Sequence, residues 1–177
     1  MQINLDDIVK LRPEVENLIP IELSKYKEDD NVQEDKLLAL SVYDNIDNLE
    51  RGWLPTPEHI AKVIVASQKN VQFRDFLMGL HTERDTALVG AYLEVIGGTA
   101  KKQEVVPVIT VLSTYNFITG DKANAVDLVK KVLEITPDYS LARLLDRIFN
   151  VMSPEDLASM AGDLHPKVKK TLELTQE

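Results

Sequence analysis

Residues 105–150 read VVPVITVLSTYNFITGDKANAVDLVKKVLEITPDYSLARLLDRIFN. Two apolar helical patterns meet there at Gly120-Asp121, and a third begins after Pro137. Glycine permits a tight reversal, and proline cannot continue a helix, so both residues punctuate the stretch where helices should turn. The β-branched run Val105 to Val111 suits a strand on propensity alone. Its continuation through Leu112, Tyr115 and Phe117 is too long for a typical strand and favours a helix. No region sustains period-two alternation. The expected fold class is all-α, with antiparallel helical hairpins packed in a compact bundle.

The same segment fits the 34-residue tetratricopeptide pattern in one register. Leu112 takes the leucine, Gly120 the turn between helices, Ala125 the small residue that lets two helices approach, and Pro137 the closing proline. The aromatic expected before Gly120 falls on Asn116, one place from Tyr115. No second copy occurs, and a solenoid needs about three repeats. Residues 105–150 therefore read as one tetratricopeptide-like hairpin rather than an array.

Working outward, Leu5 to Tyr26 looks short and broken, because Pro13 and Pro20 interrupt its apolar pattern. Asn31 to Leu49 reads as a helix, with Leu37, Leu38, Leu40, Val42 and Ile46 at helical spacing and Asp30 or Asn31 as cap. Gly52 ends it. Thr56-Pro57-Glu58 is a helix start, Asn70 caps VQFRDFLMGL, and a further helix spans Glu83 to Ile96 before Gly97-Gly98. Beyond Glu104–Thr119, Lys122–Ile135 and Asp138–Val151, two short helices are expected, one opened by Ser153-Pro154-Glu155 and one by His165-Pro166.

Composition excludes several classes. Without cysteine there are no disulfides, thiol nucleophiles or thiolate metal sites. The first ten residues, MQINLDDIVK, have neither a basic n-region nor an apolar h-region, so they do not read as a signal peptide. Val105–Ile118, the longest apolar candidate, falls short of the roughly 18 residues that span a bilayer. The expectation is a cytoplasmic protein with no membrane partner. The formal charge of −9 lies mostly in residues 1–53, which hold 13 acidic and 6 basic side chains. Such a chain repels nucleic-acid phosphates, so no nucleic-acid partner is expected. The acidic cluster Glu28-Asp29-Asp30 with Glu34-Asp35 reads as a solvated loop entering a helix.

Between Leu54 and Pro154 the words LPTPEHIAKVIVASQKNVQFRD and VVPVITVLSTYNFITGDKANAVDLVKKVLEITPDYSLARLLDRI stand in order. Within them lie Arg74-Asp75, Gly120-Asp121, Pro137-Asp138-Tyr139 and Leu141 to Leu145. This ordered set resembles the C-terminal helical half of an actinobacterial and phage family catalogued as domain of unknown function 4192. The likeness covers roughly 100 residues and implies a helical domain over 54–177, with residues 1–53 as an acidic N-terminal helical extension. Members generally begin with an α/β portion that nothing here resembles. The family has no assigned activity, so the resemblance implies a fold and an origin, in the host cytoplasm if phage-encoded.

No catalytic constellation is visible. His59, His81 and His165 stand far apart, with no HExxH, no GxSxG elbow and neither GxGxxG nor GxxxxGK, so no metal or cofactor is expected. Arg74 and Asp75 read as a structural ion pair, with Arg74 spanning helices through a carboxylate. Arg143 with Asp146 and Arg147 reads as a helix-surface pair. Trp53 reads chiefly as packing the N-terminal helix onto the rest, and alternatively as a partner contact. The functional expectation is a non-enzymatic helical protein-protein interaction module. By tetratricopeptide analogy, Thr110, Thr114 and Phe117 would face a groove for a protein or peptide partner, with homo-oligomerisation left open. Two alternatives stand beside it: an enzyme or enzyme subunit with acid/base carboxylates at an oligomer interface, and an acidic nucleic-acid mimic.

Overall fold

In the computed structural model, which describes residues 3–27 and 31–175, helices account for all the regular structure and no strand occurs among the described residues. In chain order they are α1 (Leu5–Lys25), α2 (Val32–Glu50), α3 (Pro57–Lys69), α4 (Val71–Gly79), α5 (Thr86–Gly98), α6 (Val106–Ile118), α7 (Lys122–Ile135), α8 (Ser140–Val151) and α9 (Pro154–Thr171), with a 3-10 turn at Leu80–Thr82. Polar side chains open many of them by accepting orphan backbone N–H groups. Thr56 accepts from His59, Asn70 from Gln72 and Phe73, Asp85 from Leu88, and Ser153 from Asp156.

The centre is α6. Ten of its thirteen residues are buried, so it has no solvated face, as expected of a helix enclosed on all sides. Val108, Val111, Leu112 and Tyr115 belong to one apolar cluster with α1–α5. Val106 and Phe117 belong to a second with α7, α8 and Leu157 of α9. There the Phe117 and Phe149 rings stack at 4.5 Å between centroids. α6 is thus the wall both clusters share. Helices α1 and α2 bury Ile8, Val15, Ile19, Ala39, Val42, Ile46 and Leu49 in the first cluster and so share a core with α3–α6.

Two expected breaks do not occur. α1 runs unbroken through Pro13 and Pro20, and α9 is one helix through Pro166 rather than two. All three prolines are exposed, on the sides of α1 and α9 away from the core. The buried stripe of α2 includes the expected Val42 and Ile46 but departs from the expected one nearer its start. It runs Asp35, Ala39, Val42, Ile46, Leu49, whereas Leu37 and Leu40 are largely exposed. Gly52 and Gly120 have φ of +87° and +93°. At each, the next residue's N–H reaches back five residues, Trp53 to Asn48 and Asp121 to Asn116, which closes the helix end in a left-handed cap.

α9 docks on α4 where Gly79 leaves room for the His165 ring. A Cβ at Gly79 would lie 2.2 Å from His165 Nδ1. Gly90, within α5, has only Tyr115 Cβ nearby, at 3.9 Å. Helix propensity favours alanine at both positions by about 1 kcal/mol. Gly90→Ala is therefore expected to stabilise by up to that amount in urea denaturation. Gly79→Ala is expected to cost about 1–3 kcal/mol, as overpacking does. Equal effects at the two sites would contradict this seating of α9.

Candidate functional site

α1 and α2 both pack on α3 while their backbones stay apart, which leaves a cleft between them. Its volume is about 500 Å³, within the range of ligand-holding clefts. α3 forms the floor with Thr56, Glu58, His59, Lys62, Val65 and Ala66. Glu22, Lys25 and Tyr26 of the α1 end form one wall, and Asn31, Glu34, Asp35, Leu37, Leu38 and Ser41 form the other.

Asp35 occupies a core position of α2 and is only 3% exposed. Its Oδ2 accepts from the Tyr26 hydroxyl at 2.7 Å and from Asn70 Nδ2 at 2.8 Å, which ties α2 to the ends of α1 and α3. Glu22 is paired with Lys25 at 3.2 Å, and Glu58 with Lys62 at 2.7 Å. The Lys62 hydrogen bond holds the Glu58 carboxyl below its usual range, and Glu58 in turn raises the Lys62 ammonium.

At the other end of the floor, His59 Nε2 lies 2.7 Å from the Tyr92 hydroxyl, and Nδ1 lies 3.3 Å from both Ser41 Oγ and Asn45 Nδ2. Tyr92 is fully buried, and the imidazole is the acceptor within its reach. Ser41 Oγ gives its own hydrogen to the Leu38 carbonyl at 2.7 Å. That hydrogen is therefore not offered to His59, which does not act as a base toward Ser41. The pair looks like a hydroxyl and its activator but is wired the wrong way for nucleophilic attack.

A second polar cluster lies at the α9 seam. Glu83 accepts from the Tyr43 hydroxyl, from Lys169 and, at 2.9 Å, from His165 Nε2. Burial would raise the Glu83 carboxyl, but the hydrogen bonds from Lys169, Tyr43 and His165 outweigh it and hold it at about 2. Burial lowers the His165 imidazole despite that carboxylate. His81 points its two ring nitrogens at the carbonyls of Met78, at 3.1 Å, and Ala158, at 2.9 Å. These groups hold α9 against α4 and do not line the cleft. Among the described residues no three metal-ligating side chains converge. No helix is long and apolar enough to cross a membrane.

The residues expected at a groove lie elsewhere. Thr110, Thr114 and Phe117 are buried within α6, at 0%, 0% and 1% exposure. They face the interior because α6 is enclosed by neighbours on all sides, whereas the hairpin analogy assumed one open face. Thr110 Oγ1 donates to the Val106 carbonyl at 2.7 Å. Trp53, expected mainly as packing, is 64% exposed, because the Gly52 cap turns the chain outward there. It does not line the cleft.

Arg74 contacts Asp75 Oδ1 through Nε and Nη2 at 2.9 and 2.6 Å, and reaches the Tyr139 hydroxyl at 3.4 Å. The contact between helices thus runs through a phenol, and the carboxylate is the sequence neighbour. Arg143 meets Asp138 at 3.7 Å rather than Asp146, and both partners are well exposed. Such a pair contributes little. Glu28, Asp29 and Asp30 lie outside the described residues. Asp35 itself was legible as an acid at the 31/35/39/42/46/49 spacing, but the run of leucines drew the stripe one place aside.

Burial, followed by the charge of Lys62, pushes the His59 imidazole down to about 4. Its unfolded value is near 6.5, so between pH 6.5 and 4 the unfolded chain binds more protons than the folded one. Stability is therefore full above about pH 6.5 and falls as pH drops toward 4, by about 3 kcal/mol from this residue. Urea denaturation across that range should show this loss in the wild type and a correspondingly smaller one in His59→Gln. A stability difference between the two proteins that does not vary with pH would refute the assignment.

No family profile, curated protein or solved structure was found to match the chain.

Proposed function

We propose that this protein is a non-enzymatic helical module that receives a polypeptide partner in the cleft between α1 and α2. The observation that carries this reading is the cleft itself, a channel of about 500 Å³ floored by a third helix and left open where two helices fail to meet. Its lining mixes aliphatic side chains (Leu37, Leu38, Val65, Ala66) with fixed charges, as surfaces that hold a peptide do. The Ser41 hydroxyl is spent on the Leu38 carbonyl, the His59 ring is held by Tyr92, and the basic groups are paired with carboxylates, so the lining is better suited to holding than to chemistry.

The likeness to the family of unknown function, the tetratricopeptide-like character of α6 and α7 and a cytoplasmic setting belong to the same proposal. They rest on the ordered words in 54–154 and on Gly120, Ala125 and Pro137. They supply no partner. The docking surface proposed here replaces the one drawn from the hairpin analogy, whose residues are interior.

The test is a random peptide library selected against the folded protein, with bound peptides mapped by amide chemical shifts. Selected peptides should perturb residues of α1, α2 and α3 around the cleft. Leu37→Glu, at a side chain 57% exposed, should weaken them at least tenfold without lowering the melting temperature. Binders that map consistently to α7 or α8, or that ignore Leu37→Glu, would overturn the reading.

A further inference from the structure

Four carboxylates line the cleft, and they are not equivalent. Glu22 and Glu58 each have a lysine of their own, Lys25 and Lys62. No described cation lies within ion-pair distance of Glu34 or Asp35, although Lys62 feels the field of Glu34 and Glu22. The cleft therefore keeps an uncompensated negative charge on its α2 wall. Asp35 carries the more informative part of it. It is only 3% exposed, and its Oδ2 is filled by the Tyr26 hydroxyl and the Asn70 amide, both at helix ends. No described residue donates to Oδ1. That oxygen is also not among the fully enclosed unpartnered atoms, so it retains access to the cleft that Asp35 lines.

A carboxylate set into a wall with one oxygen fixed and the other unfilled is expensive unless a cation reaches it. The identity of that cation follows from the count of free acceptors. A guanidinium binds best as a fork on two carboxylate oxygens, and Oδ2 of Asp35 already has two donors. An ammonium is a point charge that needs one oxygen here and can give a second hydrogen to Glu34 nearby on the same helix. Its four-carbon stem can lie along Leu38 and the Val65-Ala66 floor, as lysine stems do on apolar surface.

We infer that the cleft recognises a lysine side chain of the partner polypeptide, with Asp35 as the acceptor that selects it. The inference rests on the cleft being the docking surface and assigns the chemistry of its occupant.

Nα-acetyl-lysine methylamide serves as the probe, titrated into isotope-labelled full-length protein and followed by amide shifts. A probe of this size should saturate weakly, on the order of 1 mM, with shifts confined to Tyr26, Asn31–Ser41 and Asn70. The Nζ-acetylated probe, which keeps the shape and loses the charge, should bind at least tenfold more weakly. The arginine analogue should bind more weakly than the lysine one. Asp35→Asn should abolish saturation while keeping or raising the melting temperature, since it removes an uncompensated buried charge. Glu34→Gln, at an exposed position that cannot threaten folding, should weaken the probe severalfold. Equal binding of the acetylated probe, or unchanged binding by both variants, would overturn the assignment. If library-selected peptides still map to the cleft while the lysine probe does not, the lysine assignment falls and the docking surface stands. If neither maps there, both fall.

Discussion

The structure depends on the complete enclosure of α6. A helix without a solvated face must satisfy every polar group it carries inside the protein, and α6 carries several. Thr110 and Ser113 return their hydroxyls to carbonyls of their own helix, at 2.7 and 2.6 Å. Tyr115 donates to the Leu77 carbonyl at 2.8 Å and accepts the backbone N–H of His81 at 3.2 Å. These last two bonds sit where α4 ends in the 3-10 turn, so the central helix fixes the break between α4 and α5. The hydroxyls that bond locally cost little, while Tyr115 supplies a tie between elements 34 and 38 residues apart in sequence. Thr114 Oγ1 and Asn116 Nδ2 find no partner among the described residues. They mark where this packing is most demanding.

That enclosure explains what the sequence did and did not disclose. Helix limits were largely readable, because caps such as Thr56, Asn70 and Ser153 and stops such as Gly52 and Gly120 act within a few residues of where they stand. The even spread of apolar residues around α6 was also readable, and it indicates an interior helix. Reading it as half of a hairpin with one open face sent Thr110, Thr114 and Phe117 to a surface they never reach. The prolines misled for a related reason. Pro13, Pro20 and Pro166 each lie on the exposed side of a helix that packs through its other face, and exposure is a tertiary property.

The cleft was less legible than the fold. It exists because α1 and α2 share α3 as a support while their backbones stay apart, and no local pattern in either helix encodes a gap. What the sequence does contain is an acid on a core stripe. Asp35 takes the position where an aliphatic residue would continue Ala39, Val42, Ile46 and Leu49. A polar residue out of place in an otherwise consistent pattern is where local rules yield to something else, either a structural tie or a site. Asp35 is a tie through Oδ2. Its other oxygen leaves room for the second role.

The two polar networks differ in a way that separates scaffold from site. At the α9 seam, Glu83 collects three donors from α2 and α9 (Tyr43, His165 and Lys169) and is held fully ionised, so its charge is compensated within the fold. That arrangement leaves the Glu83 charge nothing to offer a ligand, though His165 Nδ1 is buried without a partner among the described residues, and its effect is to lock α9 in place. In the cleft the compensation is incomplete, since two of four carboxylates have a lysine and two have none. Fixed charge that the fold does not neutralise must be met by solvent or by another molecule. For a group as enclosed as Asp35, solvent alone does this poorly. The distinction does not depend on recognising any motif. It follows from counting donors against acceptors in each cluster, and it places the open capacity of this protein between α1 and α2.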